Sequence, residues 1–312
     1  MKIESHERER WGLILAGGEG ARLRPLTRAI TGDERPKQFC AVLGRETLLE
    51  QTRRRAALAV PPARTMLVLA RRHERFYRPL IAGMPSHCAV IQPEDRGTAA
   101  GILYGLLRIA PLAPVGSVAI FPSDHYVSDD AAFMSHVRAA FAAARSRPDL
   151  VVLLGIEPES AETQYGWIEA AESIPATPLF RVGRFVEKPP QAVARMLLER
   201  GCLWNSFVMV GRIPAFLAMI RRAAPELDAA FARISLALGT AAESAAVRTL
   251  YARLRPMSFS DGMLAARPAN LAVLPVRGVR WSDWGAPERV MGTLARLGVT
   301  PAWAERLAAQ SA

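Results

Sequence analysis

Lysine is almost missing from this chain: Lys2, Lys37 and Lys188 stand against 37 arginines. An ammonium is a compact point charge and a guanidinium a planar fork, so a site that needs one is not served by the other. Both internal lysines fall in motif-like stretches, "RPKQF" (35–39) and "FVEKP" (185–189). Cysteine is equally scarce, with Cys40, Cys88 and Cys202 widely spaced and no C-x-x-C pair. This excludes a zinc knuckle and a disulfide framework, and it suits three reduced thiols. No apolar run is long enough to cross a bilayer. The opening "MKIESHERERWGLILAGG" lacks the apolar core and small-residue cleavage site of a secretory signal. A cytoplasmic location without a membrane partner is the expectation.

The formal net charge of +11 raises nucleic acid as a partner. The arginines are spread along the whole chain, however, and no basic run interleaves with aromatics as a single-strand binder needs. Nucleic acid is therefore not expected. A basic surface does suit polyphosphate ligands.

Apolar strands alternate with helical patterns in the first half. Strands are expected at 11–16, 65–70, 88–92, 116–122 and 150–156, and helices at 47–60, from about 73, at 98–110 and at 131–146. Five such strands separated by helices argue for a parallel α/β sheet covered on both faces. Further strands are expected at 165–170, 179–189 and 203–211, a helix at 191–201, a helical region at 214–254, and strand with loop at 270–285. Without a repeat or linker, the second half reads as an elaboration of the same sheet.

The stretch "LAGGEGARLRPLT" (15–27) follows the first strand. No Walker A pattern can be drawn through it, and it lacks the third glycine of the dinucleotide fingerprint. Gly17, Gly18 and Gly20 still let backbone N–H groups approach a phosphate chain, and Arg22 would neutralise phosphate oxygens there. In "QPEDRGTAAGI" (92–102), Gln92 offers an amide to a base edge. Gly97 and Thr98 open a helix whose N-terminus favours anions. "FPSDHYV" (121–127) sets Asp124 after a strand, where ligand sites of parallel sheets lie. Glu187 supplies a carboxylate for hydroxyls and Lys188 an ammonium for phosphate. "WNSFV" (204–208) adds the amide of Asn205, and "RWSDWG" (280–285) puts Asp283 between tryptophans. Asp124 and Asp283, each in a loop after a strand, suit one Mg²⁺ shared with substrate phosphates.

In this order the stretches resemble the nucleotidyltransferases that make nucleotide sugars. "PKQF", "QPEDRGTA" and "PSDH" look most like the mannose-1-phosphate guanylyltransferases, or GDP-mannose pyrophosphorylases, and the resemblance covers about residues 11–290. It implies an α/β fold with a Rossmann-like, mixed but mostly parallel sheet flanked by helices, without a C-terminal β-helix. It also implies a catalytic domain over 11–290, a polar tail at 1–10 and a helical extension at 291–312. The implied reaction is in-line attack of mannose 1-phosphate on the α-phosphorus of GTP, assisted by Mg²⁺, with no protein nucleophile. Arg22 and Lys37 would be catalytic. Ala16, Gly17, Gly18, Gly20, Gln92, Gly97, Thr98 and Ser123 would bind the nucleotide. Tyr165, Gly166, Glu187, Lys188 and Asn205 would bind the sugar phosphate, and Asp124 and Asp283 the metal. Another hexose 1-phosphate with UTP or dTTP, a non-catalytic nucleotide-sugar-binding regulator, and a homodimer stay open. The chain departs from the family pattern at Phe207, where a glycine is usual, and at "SFSDGMLA" (258–265).

Overall fold

The computed structural model describes residues 9–266 and 269–305. The chain runs β1 (Arg10–Ala16), α1 (Arg24–Thr31), α2 (Leu48–Ala56), β2 (Thr65–Ala70), the single turn α3 (Glu74–Tyr77), β3 (Ala89–Gln92), α4 (Gly97–Ile109), β4 (Ser117–Pro122), β5 (Tyr126–Val127), α5 (Asp130–Ser146) and β6 (Val151–Ile156). It continues with β7 (Gly166–Ser173), β8 (Phe180–Glu187), α6 (Gln191–Glu199), β9 (Leu203–Arg212), α7 (Ile213–Ala223), α8 (Pro225–Ala232), α9 (Glu243–Tyr251), β10 (Leu271–Val276), β11 (Trp281–Ser282) and α10 (Pro287–Leu297).

Among the described residues nine strands form one sheet in the order β3-β2-β1-β4-β9-β6-β10-β8-β7. Its central strands are apolar along their whole length, as in β2, where all six residues are buried. That is the composition of strands covered on both faces. Side chains alternate between two cores: Ile14, Leu67 and Leu154 enter one with Phe133 and Phe141 of α5, and Leu13, Val68 and Leu153 enter the other with Ile102 and Leu106 of α4.

Strand β9 gives the sheet the mixed character that the resemblance implies, and it interrupts the row of parallel strands. It inserts antiparallel between β4 and β6, with Val118 opposite Gly211 on one side and Val152 opposite Val210 on the other. Apolar periodicity reports that a strand is buried, not which strand lies beside it. The second half does elaborate the same sheet, at its centre as well as at its edge.

Helix α2 shows how local sequence feeds the site. Thr47 Oγ1 accepts from Glu50 N–H at 3.3 Å, and the Glu50 carboxylate accepts from Thr47 N–H at 2.8 Å. This reciprocal cap is worth about 1 kcal/mol. The helix so begun braces the loop after β4: Thr52 Oγ1 donates to the Ser123 carbonyl at 3.1 Å, and Arg55 pairs with Asp130 at 2.5 Å.

The expected helix from about 73 is only the single turn α3, and the region 214–254 divides into α7, α8 and α9. Helix α10 runs across residue 290, where the boundary of a separate extension was expected. Its Val290 and Leu294, with Trp303, pack against Leu23 and Leu26 in a third core. Residues 1–8 and 306–312 lie outside the described residues. Among those described, no helix is long and apolar enough to cross a membrane.

Candidate active site

Strands β1 and β4 are parallel neighbours, so the loops that follow them emerge on the same edge of the sheet. A cleft of about 300 Å³ opens there. Asp124 comes from the loop after β4. Asp283 reaches the same cleft because β5 pairs antiparallel with β11, Tyr126 opposite Ser282 and Val127 opposite Trp281. This two-strand ribbon carries the two aspartates at adjacent ends.

Lys37 joins them from beneath. Its side chain is 8% exposed, and Nζ lies 3.3 Å from Asp124 Oδ2. The same ammonium donates to the Trp284 carbonyl at 3.0 Å and to the Asp283 carbonyl. Two of its donors are thus engaged by carbonyls, and its charge is paired with Asp124. Lys37, expected to be catalytic, is not among the residues that line the cleft. A buried cation between a carboxylate and two carbonyls holds loops together. Next to it, Gln38 Nε2 donates to the carbonyls of Ala16 at 3.1 Å and Gly18 at 2.8 Å. Gln38 was not singled out from the sequence, although its motif was. Its burial at 2% and its reach to the glycine loop are tertiary facts.

Gly18, Arg22, Thr98 and Ser123, expected at the nucleotide and its phosphates, all line the cleft. Arg22 stands in an exposed 3-10 turn, Ala21–Leu23, and has no ion-pair partner among the described residues. Gly20 begins that turn with φ 59° and packs on Lys37. Ala16 is fully buried in β1. Gly17 and Gln92 stack behind the loop, and Gln92 Oε1 accepts from Tyr251 O–H at 3.1 Å. Gln92 is 5% exposed and outside the cleft lining, behind the loop on which a nucleotide contact is expected. Gly97 has φ 81°, and a Cβ there would lie 2.3 Å from the Met257 carbonyl oxygen. Only glycine lets α4 start against that segment. Thr98 follows, its Oγ1 accepting from Phe259 N–H at 2.8 Å.

The cleft is also lined by Tyr165, Gly166, Glu187, Lys188 and Asn205, the residues expected to bind the sugar phosphate. Gly166 pairs with Glu187 across β7 and β8. A Cβ on it would come within 2.7 Å of Glu187 Oε2, so the carboxylate reaches the cleft only past a glycine. Burial pushes the Glu187 carboxyl above its usual range, with Lys188, whose Nζ lies 3.6 Å away, opposing. Burial also raises Tyr165, whose hydroxyl stands 3.3 Å from Ser282 Oγ. His125, between the aspartates and edge-on to Trp281, is pushed down to about 4 chiefly by burial. It is neutral at pH 7.

Backbone strain concentrates here. Lys188 (φ 45°), Phe207 (φ 60°) and Trp284 (φ 44°) are three of the four non-glycine residues with positive φ among those described. Each costs about 1–2 kcal/mol, a cost typical of functional sites. The stretch around 258–265 contains a π-helical turn, Ser260–Leu264, and Ser260 lines the cleft.

Asp124 and Asp283 suit a hard divalent cation. Both present carboxylate oxygens to one cleft, and Mg²⁺ is commonly held by one or two carboxylates plus substrate phosphates and water. Among the described residues no group of three His, Cys, Asp or Glu side chains could form a closed cage. Asp283 is oriented by Gly285 N–H at 2.8 Å and by Arg289, whose Nε lies 2.9 Å from Oδ1. Arg289 gave no signal in the sequence; it looks like any polar residue opening a helix.

A family model described as "Nucleotidyl transferase" matches residues 11–293. A mannose-1-phosphate guanylyltransferase of Sinorhizobium fredii is 31% identical over 292 residues, covering 89% of this chain and 53% of the relative. The xanthan biosynthesis protein XanB of Xanthomonas campestris is 34% identical over 219 residues, 69% of this chain and 44% of the relative. The chain thus spans about half the length of the curated relatives it matches. A Thermus thermophilus structure described as mannose-1-phosphate geranyltransferase superimposes with TM-score 0.78 at 32% identity, over 91% of this chain and 79% of that one.

Proposed function

Because the chain belongs to the nucleotidyl transferase family, we propose that it transfers the guanylyl group of GTP to mannose 1-phosphate and releases pyrophosphate. A phosphate oxygen of the sugar phosphate bonds to the α-phosphorus as the α–β bridging bond breaks, and the electron pair leaves with pyrophosphate. The attacking oxygen is already ionised at neutral pH, so no general base is needed. The neutral His125 and the Ser, Cys and Lys side chains of the fold then need no nucleophilic role. Guanine and mannose are favoured by the relatives that bear those names.

The work left to the protein is positioning and neutralisation of charge. The Gly17–Gly20 loop, held by Gln38, would present N–H groups to the triphosphate, and Arg22 would meet the developing negative charge. Thr98 and Ser123 would lie along the nucleoside. Glu187 and Asn205 would take sugar hydroxyls, and Lys188 the sugar phosphate. Asp124 and Asp283 would hold Mg²⁺, which when bound offsets charge on the phosphate oxygens. Lys37 would act through them as a positioning residue.

The strongest support is the union of Asp124 and Asp283 through one buried ammonium at the foot of a cleft, with Arg22 facing it from the glycine loop. The test is pyrophosphate release by the purified chain with Mg²⁺, each nucleoside triphosphate and a panel of hexose 1-phosphates. Turnover with no pair would sink the enzymatic reading. Preference for UTP or dTTP would sink only the guanylyl choice. Asp283→Asn keeps the acceptor for Gly285 N–H and should abolish turnover without unfolding the protein.

A further inference from the structure

Phe207 occupies a backbone conformation that glycine takes at little cost and other residues take under strain. Its φ is 60°. Where it sits, the pairing of β9 with β6 slips: Met209 lies opposite Leu153, but Asn205 lies opposite Gly155. Residues 206–208 therefore bulge out of the ladder, with Phe207 at the apex.

The bulge is fastened by its neighbours. Ser206 Oγ donates to the Leu154 carbonyl at 2.6 Å and accepts from Val208 N–H at 3.1 Å. Asn205 Oδ1 accepts from the Phe207 N–H at 3.1 Å. From residue 207 these bonds use only the main chain, so glycine would make the same bulge with less strain. The ring packs in part against the core that contains Phe259. It also stands in the cleft wall, half-buried, two residues from Asn205, in a lining that includes Glu187 and Gly166. Its aromatic neighbour among the described residues is Phe259, edge-on at 6.4 Å. An apolar ring among hydrogen-bonding groups cannot read a hydroxyl. It can only pack against C–H groups and exclude volume.

We propose that Phe207 is a specificity-determining residue whose ring fills the space a bulky hexose substituent would need. The protein then accepts a hexose 1-phosphate with free hydroxyls and rejects one that carries an acetamido group. This rests on the sugar 1-phosphate reading above and extends it to the choice among sugars. A strained backbone is tolerated at the apex because the bulge is over-determined by Ser206 and Asn205, and it aims the ring at the substrate.

The full chain is compared with Phe207→Gly and Phe207→Ala. Glycine removes both ring and strain, whereas alanine removes the ring and keeps a Cβ at positive φ. Pyrophosphate release with GTP is measured for mannose 1-phosphate and for N-acetylglucosamine 1-phosphate. In both variants the kcat/KM ratio of the acetamido sugar to the plain hexose should rise by about tenfold or more, the order expected when one steric group is removed from a pocket. The glycine variant should melt no lower than wild type and above the alanine variant. A ratio within about twofold of wild type in both variants overturns the proposal. So does a glycine variant that melts well below wild type, which would assign the ring to core packing. If wild type turns over neither sugar phosphate with GTP, the guanylyl reading fails by itself. The melting-temperature shift produced by each sugar phosphate then supplies the same ratio from binding and decides on Phe207 alone.

Discussion

The Lys37 ammonium lies 3.3 Å from the Asp124 carboxylate while donating to the main-chain carbonyls of Asp283 and Trp284. One buried cation thus sets the relative position of two loops that the chain supplies from distant segments. Removing it leaves a carboxylate and two carbonyls without their partner. Lys37→Met should lower stability by about 3 kcal/mol, read from denaturant midpoints, and should lower turnover as well. Lys37→Arg should not rescue either, because a planar fork cannot meet three acceptors around one point.

Arg22 makes the opposite case. It is exposed at the cleft and unpaired among the described residues, so the fold does not depend on it. Arg22→Gln should change stability by less than about 0.5 kcal/mol yet reduce kcat by roughly 10²–10³. Paired melting curves and steady-state rates check this, and a large drop in melting temperature with normal kcat would contradict it.

Gly166→Ala places a methyl group 2.7 Å from Glu187 Oε2 and 2.9 Å from Phe185 Cζ. Glu187 must then withdraw from the cleft. Overpacking of this kind costs about 1–3 kcal/mol, so KM for the sugar phosphate should rise by roughly five- to 150-fold. KM for the nucleotide should stay near its wild-type value. Equal increases in both would detach Glu187 from sugar binding.

His73 predicts the pH response. It is 6% exposed, its Nδ1 has no partner among the described residues, and it lies edge-on to Phe39, next to Gln38. Burial first, and Arg72 second, lower its pKa from 6.5. The unfolded chain therefore binds a proton below about pH 6.5 that the folded chain refuses. Stability contributed here is complete above that pH and is lost as the pH falls. His125 acts in the same direction, so the contrast between wild type and His73→Phe isolates His73. Urea midpoints should fall less for the variant between about pH 7.5 and about pH 5. Equal losses would refute the assignment.

Much of the fold can be read from the chain because its signals are local. "TMLVLA" is a buried strand in any context that covers both faces, and β2 spans those same residues, 65–70. "TLLEQ" contains its own capping box. Asp124 and Asp283 stand out because each follows a strand within a motif. Other parts of the site carry no such mark. The ribbon of β5 and β11 is two residues long on each side, too short for any periodicity. Arg289 opens an amphipathic helix and joins the site only when that helix docks. Gln92 offers the same amide whether it faces a base or, as here, a buried tyrosine.

Taken alone, the sequence determined the long apolar strands, most of the helices and many of the charged groups in the cleft, because these depend on neighbours a few residues away. Tertiary structure decided which strand enters the middle of the sheet, that Lys37 ties Asp124 to the loop of Asp283 and Trp284, and that Phe207 lines the cleft from a strained bulge. Those outcomes depend on pairings between distant segments, whose free energy is fixed only once the segments meet.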